Sequence, residues 1–435
     1  MYGRSLLGLR CHQVFTAFGG VELVVTKFRH SFLAFALLTT ASCGGGGSSA
    51  STPPVSLTPA PTPTPTPVAT AAAPTPPTAT TAGYILTKTL AGADDLLAGF
   101  AIELGLKPAW GTGGIPGEYA ADEGAFRFNC GGDGKLAKDD PIVFFNQPGV
   151  SHLHQVWGNS LFGASITPAD LAKSAATNCN STEYSLNRSS YWMPALIHEN
   201  GDAIRPDQVG IYYKRKKASS VYCNPSRPEF AGNCVGIPSQ IRFLFGWDSK
   251  KPTEKVQGAF WYCTTAPGHY SNIDDMFNAG CTAGADMLAV TVAPNCWDGK
   301  NLDTPDHRSH VAYTDIYPGT NKWACPSTHP YLIPQEENKA IYRVTADMIG
   351  TRSDGTKYSR VRVSSDAMLP GAKAGATLHA DYMEAWVAEA KKMWTENCID
   401  KGLSCSGGDL GNGKQLIGAS EPTYGWRIPQ PRVTL

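Results

Sequence analysis

Ile241-Arg242-Phe243-Leu244-Phe245, closed by Gly246, is the stretch that decides the fold class of this chain. Aromatic or β-branched residues stand at every second position and glycine ends the run, the pattern of a short half-buried strand. Similar runs recur at Ile142-Val143-Phe144-Phe145, Ile211-Tyr212-Tyr213 and Ala259-Phe260-Trp261-Tyr262. Others follow through Leu288, Val290 and Val292, through Ile341-Tyr342 and Val344, and through Tyr358, Val361 and Val363. Asn200-Gly201-Asp202 reads as a turn between Ala195-Leu196-Ile197 and the Ile211 strand. One clear helix is expected from about Tyr382 to Asn397, with Tyr382, Trp386, Ala390 and Met393 on one face. A shorter helix is expected over Asp94 to Leu106. Many short strands, long loops and one late helix predict a mainly β chain, folded as a β-sandwich or jelly-roll-like domain.

The ends are of another kind. Lys27, Arg29 and His30 precede the apolar run Phe32 to Leu38, and the small residues Thr40-Ala41-Ser42 lead into Cys43. That order describes a secretory signal, and the run is too short to span a bilayer as a mature helix. Its end resembles the lipobox of bacterial lipoproteins, with Thr40 in place of the usual Leu, so Cys43 is the expected lipidation site. Residues upstream of Lys27 fit a signal poorly, and a true start near Val24 or Val25 is expected. From Gly44 to about residue 82 the chain is Gly/Ser-rich and then Pro/Thr-rich, with ten of its 32 prolines between Pro53 and Pro77. Such a stretch is extended, and its Pro-rich part reaches roughly 80 Å. A lead-in over residues 83–124, a globular domain over 125–405 and a C-terminal extension over 406–435 complete the expected organisation.

Charge and cysteine content then bound the function. The 435 residues carry 37 basic and 37 acidic side chains. Without residues 1–43, which hold Arg4, Arg10, Lys27, Arg29 and Glu22, 33 positive and 36 negative side chains remain, a net of −3. No basic stripe marks a nucleic-acid binder. Ten cysteines remain beyond Cys11 and Cys43: Cys130, Cys179, Cys223, Cys234, Cys263, Cys281, Cys296, Cys325, Cys398 and Cys405. An even number without a C-x-x-C pair favours disulfides in an oxidising compartment over a zinc ribbon. Spacing alone leaves the connectivity open; the simplest arrangement pairs sequence neighbours.

Three clusters could carry chemistry. In His152-Leu153-His154, a strand would turn both imidazoles to one face, toward a metal ion or a reacting proton. The competing reading bonds one histidine to a loop carbonyl. Between Asp298 and His310 stand Asp298, Asp303, Asp306, His307 and His310, which could bind a hard cation or act as acids and bases. Asx turns are the alternative there. In His379-Ala380-Asp381, Asp381 with Glu384 reads as a helix cap, which leaves His379 to face a pocket. Tyr191, Trp192 and Trp157 could stack on sugar rings, or build a core instead. No serine-hydrolase, zincin, Walker or dinucleotide fingerprint appears.

Taken in order, these motifs resemble a known family. Phe126-Arg127-Phe128-Asn129-Cys130, Asp140-Pro141-Ile142-Val143, Ser151-His152-Leu153-His154-Gln155 with Gly158-Asn159, and Tyr191-Trp192-Met193-Pro194 come first. Cys296-Trp297-Asp298-Gly299-Lys300-Asn301, His307 through Tyr313, Cys325-Pro326 and His379-Ala380-Asp381-Tyr382 follow. The order is similar to that of the extracellular family called domain of unknown function 1996, from roughly Ala125 to Cys398. The resemblance places His152, His154, Asp298, His307, His310, His379 and Asp381 at family motif positions and supplies no reaction. The resulting expectation is an exported protein, lipid-anchored at the outer membrane or cell surface, whose only link to the membrane is that anchor. It would act on an extracellular polysaccharide by glycosidic cleavage. His152, His154, His307, His310, His379 and Asp381 would be catalytic, with a divalent metal on His152, His154 and His379. Tyr191, Trp192, Trp157 and Asp298 would bind substrate. A non-catalytic glycan-binding module and a metal-scavenging surface protein are the alternatives.

Overall fold

A computed structural model describes residues 101–120, 122–179, 184–316, 322–418 and 430–435, all within the unit Pro76–Leu435. The expected signal sequence, Cys43 anchor and Pro/Thr linker lie outside the described residues. Eleven strands build the two main sheets. In chain order they are β1 (Glu123–Gly131), β2 (Lys135–Ala137), β3 (His154–Gly158), β4 (Ser190–Pro194), β5 (Gln208–Lys216) and β6 (Arg242–Gly246). Then come β7 (Ala259–Cys263), β8 (Asp286–Val292), β9 (Gln335–Arg343), β10 (His379–Met383) and β11 (Ser404–Cys405). The first sheet has the order β7-β8-β9-β5-β1-β11 and the second β6-β10-β4-β3-β2. Every neighbour pair is antiparallel except β1 with β11.

Alternation along β1 buries Phe126, Phe128 and Cys130 and turns Arg127 and Asn129 outward; β5 buries Val209, Ile211 and Tyr213. Their rings meet those of the second sheet in one aromatic core. Phe128 meets Tyr191 at 6.4 Å, Tyr213 meets Tyr382 at 6.3 Å, and the Tyr191 and Tyr213 hydroxyls lie 2.6 Å apart. This is a sandwich of two sheets, as the strand pattern predicts. The second sheet is also covered on its far face, so every residue of β3, β4 and β10 is buried. That second cover, made of loops, forms the site described below.

All five disulfides join sequence neighbours: Cys130–Cys179, Cys223–Cys234, Cys263–Cys281, Cys296–Cys325 and Cys398–Cys405. Five bridges fit an exported protein. No helix among the described residues is long and apolar enough to cross a membrane.

Several local expectations are corrected. Ile142-Val143-Phe144-Phe145 is a turn, because the Asp140 carboxylate accepts the backbone N–H groups of both Ile142 and Val143 at 2.9 Å and closes the chain on itself. The late helix runs only over Ala388–Trp394, continued by a π-helical turn over Thr395–Ile399. Tyr382 lies in β10 instead; Tyr382, Trp386 and Trp394 do share one core but reach it from a strand, a loop and a helix. Residues 94–100 of the helix expected over Asp94 to Leu106 lie outside the described residues; Ile102–Gly105 is a 3-10 turn, after which Leu106–Pro108 pairs with Lys414–Leu416. The Asn200-Gly201-Asp202 turn is present, but Leu196–His198 pairs across it with Ala203–Ile204.

Candidate metal centre

His154 opens β3 and His379 opens β10, two strands that both flank β4. His154 lies opposite Pro194 of β4, and Asp381 lies opposite Trp192. Extending that second register by two residues sets His379 level with Pro194, so both imidazoles rise from the outer face on either side of a proline. His152, two residues before His154, joins them. Ring centroids lie 4.2 Å apart for His152 and His154, 5.1 Å for His152 and His379, and 6.3 Å for His154 and His379. One ring nitrogen from each converges with the others within 4.8 Å.

Backbone carbonyls settle the tautomers. His154 Nδ1 lies 3.0 Å from the carbonyl oxygen of Asp139, and His379 Nδ1 lies 2.8 Å from that of Thr377. A carbonyl only accepts, so each Nδ1 carries the proton and each Nε2 keeps its lone pair. Nε2 of His152 and of His154 are buried without a partner among the described residues. Burial is the main reason the imidazoles stay neutral, and each also disfavours charge on a neighbour. His152 is held down at about 2, His154 at about 3 and His379 at about 3. Neutral imidazoles whose ring nitrogens converge, two of them oriented by Nδ1–H bonds, are what a divalent transition metal binds.

Close approach of the chain keeps His379 in place. Gly246 faces it across the β6–β10 pair with φ +88°, and a Cβ there would come within 2.7 Å of the His379 Cα. Above the histidines opens a cavity of about 310 Å³, walled by Asp140, His152, Trp247, His307, Arg308 and His379 among others. Asp140 accepts at Oδ1 from the Ile142 and Val143 backbone N–H groups and lines the cavity, and burial pushes its carboxyl above the ordinary value. Asp381 stands two residues beyond His379 on the same face of β10, fully buried, with no hydrogen-bond partner for either carboxyl oxygen among the described residues. Desolvation first, and Asp140 second, push its carboxyl far upward.

The remaining expected site residues divide. His307 reaches the cavity, held at φ +56° with Nδ1 2.7 Å from the Asp303 carboxylate. His310 does not converge. It is fully buried, with its ring nitrogens bonded to Thr304 Oγ1 at 2.9 Å and to the Arg242 carbonyl at 3.0 Å, and it braces its loop. Asp298 accepts from the Lys300 and Asn301 backbone N–H groups and from the Asn301 side chain, so its carboxylate closes a turn. Asp381 caps no helix, since it lies inside a strand. Tyr191, Trp192 and Trp157 are fully buried and present no face to a sugar. Tyr191 and Trp157 belong to the core between the sheets, and Trp192 packs under the loops against Phe162.

Two contributors were passed over in the sequence. Asp140 stands before a proline, a turn signal that argues against reading the next residues as a strand. Arg308 sits between two histidines and attracted no notice beside them. A family model described as "Domain of unknown function (DUF1996)" matches residues 140–386, a span that takes in every residue of the centre and its cavity. No curated protein and no solved structure matches the chain.

Proposed function

The chain belongs to the DUF1996 family, and from that premise we propose that it is an exported, metal-dependent enzyme that cleaves glycosidic bonds of an extracellular polysaccharide. The observation that carries the reading is the convergence of the His152, His154 and His379 ring nitrogens, with two of the rings tied through Nδ1 to backbone carbonyls. Three protein ligands with an open side toward a cavity is the arrangement of catalytic rather than structural metal sites. A divalent metal bound there would act as a Lewis acid toward an oxygen of the substrate or of water.

The chain's own groups supply the rest. Asp140 lines the cavity, and burial raises its carboxyl above the ordinary value, the direction that suits a general acid toward the departing sugar oxygen. Trp247 and Val143 give the cavity its apolar walls, while His307, fixed by Asp303, faces the substrate from the opposite loop. Hydrophobic walls with a few fixed polar groups are usual in pockets for small units, so one sugar at a time would enter. A lipid on Cys43 would keep this centre at a membrane surface.

The test measures metal content and released sugar ends on the same samples. The purified protein is expected to hold about one equivalent of a divalent transition metal and to release new ends from a polysaccharide panel. His379→Ala should lower metal affinity by at least about a hundredfold, beyond the cost of losing an outer-shell partner, and abolish the release. Absence of metal from both proteins would overturn the reading.

A further inference from the structure

A second cavity, of about 180 Å³, adjoins the one above the histidines, and the two share Leu244, Asp248 and Arg308 in their walls. Arg308 is the fixed part of that partition. Its Nη2 donates to the Trp247 carbonyl at 2.9 Å, its Nη1 to the Gly246 carbonyl at 3.4 Å, and its Nε lies 3.9 Å from the Asp248 carboxylate. Each terminal nitrogen carries two N–H groups, so each retains one after these bonds. A guanidinium held in this way presents a planar fork whose ordering cost is already met.

The far wall of the second cavity comes from the loop that follows Asp248. Lys251, Glu254 and Lys255 line it. Lys251 and Glu254 pair with each other at 3.5 Å and compensate one another. Among the described residues Lys255 has no ion-pair partner, and neither has Lys250 in the wall of the first cavity. The acidic groups nearby are already engaged or buried: Asp248 beside Arg308, Asp306 by its own turn, and Asp140 beneath the loop. Positive charge therefore remains uncompensated along the side of the groove that leads away from the histidines.

We infer that the two cavities are adjoining subsites of one groove for an acidic polysaccharide. The reacting unit would lie over the histidines, and a carboxylate or sulfate of the next unit would be held by Arg308 and Lys255. The saccharide class rests on the function proposed above. The anionic group rests on the N–H groups that Arg308 retains in the shared wall and on Lys255 and Lys250 beside it. Binding of this kind steers a charged polymer into the groove and weakens as salt screens it.

Affinity electrophoresis of the intact chain tests this with four polymers: polygalacturonate and its fully methyl-esterified form, and dextran sulfate and dextran. Retention by at least one anionic polymer, and by neither neutral one, is expected. The two anionic arms separate carboxylate from sulfate. Lys255→Glu should weaken that retention about tenfold, the effect of one charge contact of ~1.4 kcal/mol, and Lys250→Glu should weaken it in the same direction. Both lysines are exposed, so neither change threatens the fold. Equal retention by charged and neutral polymers, retention by none of the four, or lysine variants that bind as the parent does would each overturn the inference. Metal measured on the same samples keeps the two readings apart. Metal without retention sinks the groove and leaves the centre standing; retention without metal does the reverse.

Discussion

At the scale of single residues, burial decides which groups can do chemistry. His310 and His154 are both fully buried histidines of family motifs, yet both nitrogens of His310 are bonded and Nε2 of His154 has no partner among the described residues. The difference lies in the partners, and no sequence pattern records it. Asp140 and Asp306 differ in the same way. Four hydrogen bonds from Thr304, Arg308 and Ser309 outweigh the burial of Asp306 and hold its carboxyl far below its ordinary value. Asp140 has two such bonds and is pushed up by burial. Asp140→Asn keeps the shape and the turn but removes the proton. It should leave metal content unchanged while lowering the rate of sugar-end release by about 10²- to 10⁴-fold, the usual weight of a general acid; an unaltered rate would assign the proton elsewhere.

Among elements, the strand pair β6–β10 carries the tightest constraint. Gly246→Ala would press a methyl group against the His379 Cα in a left-handed conformation. A loss of about 1–3 kcal/mol is expected, read as a lower melting temperature together with weaker metal binding, because the strand that moves carries a ligand. The C-terminal segment gives a pH-dependent test. Arg432 Nη1 lies 2.6 Å from Asp347, and with Thr345 it lowers the Asp347 carboxyl to about 2. A carboxylate depressed by folding stabilises the native state above its ordinary value near 3.8, and that contribution disappears as pH falls from about 4 toward 2. Asp347→Asn should therefore be less stable than the parent at pH 6 and nearly equal to it at pH 2. Thermal melts of the pair across that range check the sign. The exposure of this ion pair keeps the expected gap small.

On the scale of the whole molecule, disulfides hold loops over a sheet that already carries the histidines. Cys296–Cys325 spans 29 residues and closes the segment that contains Asp303, His307 and Arg308. Replacing both cysteines by serine should cost ~2–4 kcal/mol. Its sharper consequence is a separation of properties. The three imidazoles come from β3, β10 and the loop before β3, so metal content should persist, while the cavity wall bearing Arg308 loosens and polysaccharide release falls. Loss of metal from that variant would show that the loop orders the centre as well.

Sequence alone determined the mainly β class and the places of several strands, offered neighbour pairing as the simplest of the open cysteine connectivities, and marked His152, His154 and His379 as a possible metal set. Those features are written in local pattern: period-two alternation, an even number of cysteines and imidazoles two residues apart. It misread Ile142 to Phe145 and the start of the late helix, where a carboxylate bonding back to the backbone and a shared aromatic core overrode local propensity. Tertiary structure alone decided that His379 meets His152 and His154 across β4, although more than 220 residues separate them in the chain. It also buried Tyr191, Trp192 and Trp157 and brought Asp140 and Arg308 to one cavity. The physical reason is that the second sheet is covered on both faces. Which side a residue faces, and what lies over it, depends on strands and loops far away in sequence, and the chemistry of this site depends on that cover.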